Sequence, residues 1–456
     1  MNRRTTTDWQ QLDKQHLWHP FTQMQDWQAS QPLVIDRAER FELIDTDGRR
    51  YIDGHSSLWV NIHGHGHPAL VRAIAEQAAK LDHSTMLGLA STPSIELGRR
   101  LTALAPRGLS RVFYSDNGST AVEVALKMSY QYWQHKGQNR RTFLSFSGAY
   151  HGDTIGSVAV GGIDLFHGAF RKLLFDTYQA PYPYPYRDEQ HRDKPEACLR
   201  ECLNRAEQIL RSHAHEICAI VTEPGIQAAA GMLVAPAGFL RGVEELARRY
   251  GVQLIVDEVA TGFGRTGAMF ACEHEQVHPD YLCVAKGLTG GILPLAVTLT
   301  TNEVYDAFLG HYEQFKTFFH GHSFTGNPIG CAAALASLDL FESQHLIRTM
   351  QPALEAYHEA LGRLREHPHV GEVRHYGWMA GIELVRDRVS REVWPLSELV
   401  PQRVVLAARQ HGAVIRPLGH TMVLMPPPAI DLHTAMRLVS ITAQAIDDVT
   451  LHGLSL

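Results

Sequence analysis

Short apolar runs alternate with helix-like stretches between residues 68 and 335, and this alternation constrains the fold more than any other feature of the sequence. The runs lie at residues 112–114, 142–146, 219–222, 254–257, 281–285 and 295–300. Strands that alternate with helices favour a mostly parallel sheet with helices on both faces. The sequence therefore predicts a large α/β domain over residues 66–335.

The two ends of the chain follow a different pattern. A long amphipathic stretch begins near Phe341, and strand-like runs follow at residues 371–374, 380–385, 414–417 and 422–425 before a last helix. This mixture predicts a small α+β domain over residues 336–456, to which the N-terminal segment 1–65 contributes.

Charge and composition disfavour several classes of protein. The chain has 456 residues with 42 basic and 48 acidic side chains, a net charge of −6 and no long run of one sign, so a nucleic-acid surface is not expected. No apolar stretch approaches the roughly 18 residues of a membrane span, and no apolar run typical of a secretory signal follows Arg3 and Arg4. With six scattered cysteines, these features predict a cytoplasmic protein with reduced thiols and no membrane partner.

Two charged residues stand at the ends of two apolar runs. Lys286 follows the run 281–285, and Asp257 ends the run 254–257. An ammonium group at the exit of a buried strand is costly to desolvate, but a lysine that holds an aldehyde cofactor as a Schiff base has a use for that position. A carboxylate beside the ring nitrogen of such a cofactor would keep the nitrogen protonated. The pair indicates a pyridoxal-phosphate site. The alternatives are a lysine that reaches solvent and an acid that caps a helix or forms a loop ion pair.

A third segment is suited to binding a phosphate group. Residues 111–114 have the pattern of a strand, 115–120 that of a tight turn containing Gly118 and Ser119, and 121–133 that of a helix. Free backbone N–H groups and the positive end of the helix dipole would face an anion at such a turn. Many capped helices share this pattern, so it gains weight from its combination with the two charged strand ends.

Five motifs occur in the order found in the class III aminotransferases. They are Asn-Gly-Ser at residues 117–119, Tyr-His-Gly-Asp-Thr at 150–154, Asp-Glu-Val-Ala-Thr-Gly-Phe-Gly-Arg-Thr-Gly at 257–267, Ala-Lys-Gly-Leu-Thr-Gly-Gly at 285–291 and His-Gly-His-Ser-Phe-Thr-Gly-Asn-Pro at 320–328. The chain resembles this family from about Leu17 to about Pro427. The resemblance implies fold type I of the pyridoxal-phosphate enzymes, an aminotransferase activity, and pyridoxal 5′-phosphate as cofactor.

The resemblance also implies roles for single residues. Tyr150 would stack on the cofactor and would serve catalysis together with Lys286 and Asp257. Further cofactor-binding residues would be Gly118, Ser119, His151 and His322. In this family the loop equivalent to the one that holds Ser323 reaches across a dimer interface, and its hydroxyl residue binds the partner's cofactor phosphate. A homodimer with shared active sites is therefore expected. Gly321 would let the substrate approach closely. A core tyrosine and a turn serine are the alternatives for Tyr150 and Ser323.

A closer resemblance is to the branch of the family that converts 8-amino-7-oxononanoate to 7,8-diaminononanoate in biotin synthesis. It rests on His-Leu-Trp-His-Pro-Phe-Thr-Gln-Met at residues 16–24, Asp-Gly-His-Ser-Ser-Leu-Trp at 53–59, Gln-Tyr-Trp at 131–133 and Phe-Ala-Cys-Glu-His at 270–274. By this resemblance Arg416 would bind the carboxylate of the acceptor, for which a guanidinium group is suited. Arg265 is a candidate for the donor's carboxylate. Surface ion pairs are the alternative for both arginines.

The amino donor is less constrained than the acceptor. Many members of the branch use S-adenosylmethionine, with a tyrosine where this chain has Phe21 and a tryptophan where it has Leu58. Phe21 could still stack on an adenine, and Trp59, Tyr150 and Lys286 complete the predicted substrate pocket. We expect S-adenosylmethionine as donor, with lysine as the alternative. A second hypothesis is a general ω-amino acid:pyruvate aminotransferase. A scaffold protein is disfavoured, because it would have no use for a Schiff-base lysine.

Two motifs remain outside this scheme. His63, His65 and His67 are separated by single glycines and resemble a metal-binding tract, but a flexible loop without further ligands does not make a closed site, so no metal is predicted. Residues 180–186, Ala-Pro-Tyr-Pro-Tyr-Pro-Tyr, could be a polyproline ligand for a partner. A buried connection or rim loop within a large enzyme is the favoured interpretation.

Overall fold

The computed structural model describes residues 4–453, which form a seven-stranded sheet, two four-stranded sheets and a two-stranded ribbon with helices packed around them. The strands are β1 Ile35–Glu39, β2 Glu42–Asp45, β3 Arg50–Asp53, β4 Leu109–Ser115, β5 Thr142–Phe146, β6 Tyr178–Ala180, β7 Ile217–Thr222, β8 Ile226–Gln227, β9 Leu233–Val234, β10 Gln253–Asp257, β11 Tyr281–Val284, β12 Ala296–Thr301, β13 Val370–Tyr376, β14 Met379–Leu384, β15 Ala413–Val414, β16 Arg416–Leu418 and β17 Thr421–Leu424.

The helices in the same part of the chain are α1 Thr6–His16, α2 Met24–Ala29, α3 Ser56–Trp59, α4 Pro68–Lys80, α5 Thr92–Leu104, α6 Gly118–His135, α7 Ile155–Ala159, α8 Asp164–His167, α9 Pro195–His213, α10 Phe239–Tyr250, α11 Cys272–Glu275, α12 Asn302–Asp306, α13 Pro328–Ser343, α14 Leu346–Thr349, α15 Gln351–Arg363, α16 Val400–Gln410 and α17 Leu432–Thr450. Short 3₁₀ helices cover Gly168–Leu173, Lys286–Thr289, Tyr312–Gln314, Leu364–Glu366 and Leu396–Glu398. Within residues 4–453 no helix has the length and apolar character needed to cross a membrane.

The seven-stranded sheet has the order β4-β12-β11-β10-β7-β5-β6. The neighbours from β11 to β6 pair in parallel, and β12 is antiparallel to both β11 and β4. Each of the six apolar runs predicted as strands in this region lies within or overlaps an observed strand. The α/β class predicted from the alternation is therefore confirmed.

The central strands are buried on both faces. Every residue of Ile217–Thr222, Gln253–Asp257 and Tyr281–Val284 is buried, which explains why these strands appear in the sequence as continuous apolar runs rather than alternating patterns. In the parallel register Asp257 lies beside Cys283. The chain therefore leaves β10 and β11 at the same edge of the sheet, which is where ligands bind in open α/β sheets.

Helix α6 begins at this same edge. Asn117 caps it, because Asn117 Oδ1 accepts a hydrogen bond from Thr120 N at 3.1 Å, and Asn117 N in turn donates to Thr120 Oγ1 at 3.2 Å. The reciprocal pair satisfies donors that the first turn of a helix leaves free. The buried face of α6 packs against β11 and β12, so the start of the helix is held beside the ends of the central strands.

The two ends of the chain meet in one small sheet. Strand β15 pairs with β3 in parallel, with Ala413 beside Ile52. The other four-stranded sheet has the order β13-β14-β17-β16 and comes entirely from the C-terminal region. This pairing supports a small domain built from both ends of the chain, and the boundaries at residues 65 and 335 stay a prediction.

The proline–tyrosine repeat at residues 180–186 lies between the central sheet and the C-terminal sheet. The Tyr184 hydroxyl donates to Glu383 at 2.7 Å and to Glu372 at 3.0 Å. Arg374 donates from Nη1 to the same two carboxylates, each at 2.7 Å. The two flanking tyrosines are buried. These contacts support the interpretation of the repeat as a buried connection.

The three histidines of the 63–67 tract have separate partners. His63 Nε2 lies 2.9 Å from Ser337 Oγ, and His67 Nδ1 accepts a hydrogen bond from Ala69 N at 3.3 Å. His65 Nε2 lies 2.9 Å from Asp53 Oδ2. Among residues 4–453 no group of three or more His, Cys, Asp or Glu side chains is placed to hold a metal ion.

Candidate active site

A cavity of about 700 Å³ opens at the carboxyl ends of the central strands. It is lined by the start of α6, by residues 150–154, by the ends of β7, β10 and β11, and by Trp59. The predicted residues that line it are Trp59, Gly118, Ser119, Tyr150, His151, Asp257 and Lys286. Residues from five separate segments of the sequence thus meet around one space.

Lys286 begins the 3₁₀ helix that follows β11, with a positive φ of 29°. Its Nζ lies 5.5 Å from the centroid of the Trp59 ring. Burial lowers the pKa of the Lys286 ammonium, although the negative charges of Asp257 and Glu223 oppose the shift. A larger share of this lysine is consequently present as the neutral amine, which is the form that attacks a carbonyl and accepts a proton.

Asp257 and His151 form a buried pair. His151 Nδ1 lies 2.8 Å from Asp257 Oδ2, and Val259 N donates to Asp257 Oδ1 at 3.0 Å. Burial by itself would lower the pKa of His151, but the hydrogen bond and the charge of Asp257 outweigh it, so the net pKa is raised. These two contacts, one on each oxygen, fix the orientation of the Asp257 carboxylate in the cavity wall.

Glu223 is a cavity residue that the sequence analysis missed. It is buried, and its carboxylate accepts hydrogen bonds from Tyr150 N at 3.2 Å and Ala228 N at 3.1 Å. Burial raises the pKa of Glu223 to about 7, and the neighbouring Asp257 adds to this shift. The signal was present in the sequence, because Glu223 follows the apolar run 219–222 in the same way as Asp257 ends the next one.

The start of α6 forms a cradle in which side chains beyond glycine do not fit. A Cβ atom on Gly118 would lie 2.4 Å from Val259 Cγ1, and one on Gly152 would lie 2.4 Å from Ser119 Cβ. Ser119 Oγ accepts a hydrogen bond from Thr154 N at 3.0 Å. The 18-residue helix directs its positive dipole end toward the cavity. This geometry fits an anionic phosphate group.

Tyr150 lines the cavity, and Arg416 lies near enough for its charge to act on the Tyr150 hydroxyl. The Tyr150 hydroxyl donates to Asp153 Oδ2 at 2.8 Å. Burial raises the pKa of Tyr150 with help from Asp153, and the positive charge of Arg416 opposes the rise. Among residues 4–453, no carboxylate lies within 4.0 Å of the Arg416 guanidinium. Its charge is therefore free to meet an anionic ligand.

Arg265 occupies a different environment from the one predicted. It is fully buried, its Nη1 donates to Ser56 Oγ and Pro426 O, each at 3.0 Å, and its Nη2 donates to Asn61 O at 2.7 Å. Burial lowers the pKa of Arg265 to about 9. Because both Nη atoms are engaged and the side chain does not line the cavity, the structure favours a structural role over binding of the donor's carboxylate.

The remaining predicted residues lie outside the cavity of a single chain. Phe21 is 58% exposed and makes an edge-to-face contact with Phe166, with ring centroids 5.3 Å apart. Gly321 and Ser323 are exposed in the loop before α13. His322 Nδ1 lies 3.3 Å from Asp116 Oδ2, and Asp116 is on the cavity rim.

The segment Ser56–Trp59 has an unusual backbone. The φ angles of its four residues are 52°, 48°, 70° and 70°, so helix α3 is one left-handed turn built without glycine. Its hydrogen bonds run from Trp59 N to His55 O at 2.8 Å and from Val60 N to Ser56 O at 3.0 Å. A left-handed helical conformation costs about 1–2 kcal/mol per residue for L-amino acids. The turn places the buried Trp59 in the cavity wall and leaves Leu58 46% exposed.

Comparison with known proteins places the chain in a family. The model of the aminotransferase class-III family matches residues 23–446. The chain belongs to the class III aminotransferases. The protein is thus an aminotransferase rather than a scaffold, as predicted, and the expectation of fold type I is confirmed. Class III aminotransferases bind pyridoxal 5′-phosphate, and the anion cradle, the buried carboxylate and the lysine with lowered pKa fit that group.

Similar proteins cover nearly all of this aminotransferase. The adenosylmethionine-8-amino-7-oxononanoate aminotransferase of Nitratidesulfovibrio vulgaris is 55% identical over 445 residues, which are 97% of this chain and 82% of the relative. A crystal structure of the enzyme of that name from Methanocaldococcus jannaschii has a TM-score of 0.92 at 42% identity, covering 97% of this chain and 99% of that one. An (S)-enantioselective ω-transaminase from Thermomicrobium roseum has a TM-score of 0.94 at 32% identity, covering 98% and 100%.

Proposed function

We propose that this class III aminotransferase transfers an amino group to 8-amino-7-oxononanoate and forms 7,8-diaminononanoate for biotin synthesis. The observation that carries the proposal is the Arg416 guanidinium, whose charge acts on the cavity residue Tyr150 and which has no carboxylate partner among the described residues. The acceptor has a carboxylate at the end of an apolar chain, and a guanidinium binds such a group with two parallel hydrogen bonds. The name of the 55% identical relative supports the same acceptor.

The residues of the cavity have separate roles in the proposed reaction. When bound, pyridoxal phosphate supplies an aldehyde that accepts an amino group and a ring that withdraws electrons from the substrate carbon. Gly118 and Ser119 would bind the phosphate at the start of α6. Asp257, held by His151 at 2.8 Å, would keep the ring nitrogen protonated.

Lys286 moves the proton. Its Nζ would hold the cofactor through the aldehyde group and, when free, would serve as an amine base. Because burial lowers the pKa of this group, a larger share of the free amine would be neutral and able to accept a proton from the substrate carbon. Tyr150, which lines the same cavity as Lys286, would stack on the cofactor ring.

S-adenosylmethionine is the proposed donor, and lysine is the alternative. The exposed ring of Phe21 offers a face for an adenine, and no second aromatic residue stands at position 58. The shared fold does not distinguish this activity from the ω-transaminase hypothesis, because the Thermomicrobium roseum enzyme has a TM-score of 0.94. The two activities must therefore be distinguished by the substrates that the enzyme converts.

We also propose a homodimer in which each chain contributes to the partner's cavity. The loops near residues 312–324 expose large apolar rings, among them Tyr312, Phe319 and Phe324. An exposed apolar surface of this kind marks an interface. Ser323 lies in the same region, so a second chain that covers these rings would receive its hydroxyl. Light scattering of the purified protein measures the mass directly, and a monomer at active concentrations would contradict the proposal.

The test of the activity uses the two half-reactions separately. Protein loaded with pyridoxal phosphate is mixed with S-adenosylmethionine, lysine, alanine or β-alanine alone, and absorbance reports conversion of the cofactor. Addition of 8-amino-7-oxononanoate should then restore the aldehyde form and yield 7,8-diaminononanoate by mass spectrometry. Conversion by alanine or β-alanine, with no response to the biotin precursor, would favour the ω-amino acid:pyruvate aminotransferase.

A further inference from the structure

Asp53 is a buried carboxylate outside the cavity, and it holds the left-handed turn Ser56–Trp59. It ends strand β3 and has no exposed side-chain surface. Its Oδ1 accepts a hydrogen bond from Ser57 N at 2.9 Å, and its Oδ2 accepts one from Ser57 Oγ at 2.7 Å. Both oxygens therefore engage the same residue of the turn.

Two histidines complete the surroundings of this carboxylate. His65 Nε2 lies 2.9 Å from Asp53 Oδ2, and His55 Nδ1 lies 3.2 Å from Oδ1. Burial raises the pKa of Asp53, but the contacts with His55 and His65, the charge of His55 and the hydrogen bond from Ser57 N outweigh it, and the net pKa is far below its usual range. His65, which belongs to the histidine-rich tract 63–67, therefore binds the Asp53 carboxylate, and this contact needs no metal ion.

A second contact holds the turn from its other side. Ser56 Oγ donates to Met425 O at 2.6 Å and accepts a hydrogen bond from the buried Arg265 at 3.0 Å. The turn is consequently fastened to the N-terminal sheet through Asp53 and to the C-terminal region through Ser56. Four successive non-glycine residues with positive φ persist only where the surroundings determine the backbone.

We propose that Asp53 is a positioning residue that sets the place of Leu58 and Trp59 and thereby determines which amine donor the cavity accepts. Trp59 lines the cavity 5.5 Å from Lys286 Nζ, and Leu58 is its exposed neighbour on the same turn. Without the anchor, the turn relaxes toward negative φ, and both side chains turn away from these positions. This inference rests on the proposed function for the identity of the donors only.

The experiment compares Asp53→Asn with Asp45→Asn in the pyridoxal-phosphate-loaded protein. Asp45 is a matched control, because it is buried at the end of β2 in the same sheet and binds Asp47 N, Arg49 N and the Tyr51 hydroxyl at 3.0, 2.8 and 2.8 Å. The turn that it holds does not line the cavity. The measurements are the donor concentration dependence of the first half-reaction, thermal unfolding, and near-ultraviolet circular dichroism of the cofactor-free protein.

In Asp53→Asn the KM for the preferred donor should rise by about tenfold or more while kcat stays within about threefold, because binding is lost before chemistry. The aromatic dichroism of the cofactor-free protein should change as Trp59 moves. Asp45→Asn should lower the unfolding temperature. It should leave unchanged the KM for the preferred donor and the ratio of the KM values for S-adenosylmethionine and lysine. Equal changes in the two variants, or an unchanged KM in Asp53→Asn, would overturn the proposal.

A rescue variant separates positioning from general stability. Ser57→Gly removes the Cβ that makes positive φ costly, so the double variant Asp53→Asn/Ser57→Gly should regain at least about a third of the lost donor affinity. Failure to regain any would count against the role of the strained turn. If Asp53→Asn does not fold, Ser57→Ala replaces it, with an expected rise in KM of about two- to fivefold from the lost hydrogen bond. An unchanged KM there overturns the proposal.

The outcome does not depend on the acceptor. The test uses whichever amine the wild-type protein converts, so a wrong assignment of 8-amino-7-oxononanoate leaves it intact. If no amine is converted, the proposed function fails, and the dichroism of the cofactor-free variants still decides whether Asp53 positions Trp59.

Discussion

The floor of the cavity and its entrance are built in different ways. On the floor, Asp257 and Glu223 are fixed at the ends of strands that are buried on both faces. We propose that Phe21 and Leu58 form the entrance; both side chains are about half exposed, and each residue has a positive φ in a segment without regular right-handed structure. The first set can tolerate little movement, because interiors are close-packed. The entrance residues can be substituted with a small cost to the stability of the fold.

This contrast assigns chemistry to the floor and selectivity to the entrance. A change on the floor should lower the rate with every donor and acceptor, whereas a change at the entrance should affect one substrate more than another. Four substitutions could contradict this division.

Replacement of Lys286 should have the largest effect. Lys286→Ala should lower both half-reactions by about 10⁴-fold or more, on the scale of losing a covalent catalytic group. The wild-type protein should be yellow and lose this absorbance after borohydride reduction, with the cofactor attached to Lys286 in a peptide map. A colourless protein that takes up no pyridoxal phosphate, or an adduct on another lysine, would remove Lys286 from the mechanism.

Asp257→Asn should slow both half-reactions by about 10³-fold while the cofactor remains bound, because a neutral amide does not hold the proton on the ring nitrogen. Each tenfold loss in rate corresponds to about 1.4 kcal/mol of transition-state stabilisation, so a 10³-fold loss corresponds to about 4 kcal/mol. Asp280→Asn is the control, since Asp280 lies at the opposite end of the neighbouring strand and accepts from Leu254 N at 2.7 Å. Near-normal turnover in Asp257→Asn would refute its catalytic role.

Arg416→Ala should raise the KM for 8-amino-7-oxononanoate by about 30- to 100-fold, which corresponds to the loss of a charge-assisted pair of hydrogen bonds. The donor half-reaction should change much less. Arg437→Ala serves as control, because that guanidinium is exposed on α17 and lies 3.9 Å from Glu42. If acceptor binding survives the loss of Arg416, another group binds the carboxylate, and the proposed acceptor loses its main structural support.

The smallest effect concerns Phe21. One base stacked on an aromatic ring contributes about 1–3 kcal/mol to binding. Phe21→Ala should therefore weaken the binding of S-adenosylmethionine by about tenfold and the binding of lysine hardly at all. Single-turnover absorbance with each donor measures this, and Phe170→Ala, another half-exposed phenylalanine, is the control. If lysine reacts at least as efficiently and both donors respond alike, lysine replaces S-adenosylmethionine as the proposed donor.

Much of the floor was predictable because it is local in sequence. Asp257 and Lys286 stand at the ends of apolar runs, and Gly118 and Ser119 stand between a strand and a helix, so composition and order indicate them without knowledge of contacts. Glu223 carries the same signal and was missed. Arg265 shows the limit of this reasoning, because a motif position does not reveal that its Nη atoms donate to Asn61 O and Pro426 O.

The entrance could not be derived in this way. Nothing in the order Asp-Gly-His-Ser-Ser-Leu-Trp at residues 53–59 predicts four successive positive φ angles, since L-residues avoid that region. The conformation depends on Asp53, on His65 and on Met425 O, which is 369 positions from Ser56.

The α/β class, the family and the floor residues other than Glu223 follow from local sequence pattern, because buried parallel strands require continuous apolar runs and the chemical groups follow directly at their ends. Three properties needed the folded structure: Arg265 is enclosed, Arg416 has no carboxylate partner among the described residues, and Ser56–Trp59 is a left-handed turn. These properties come from contacts between segments far apart in the chain, and such contacts have no local pattern.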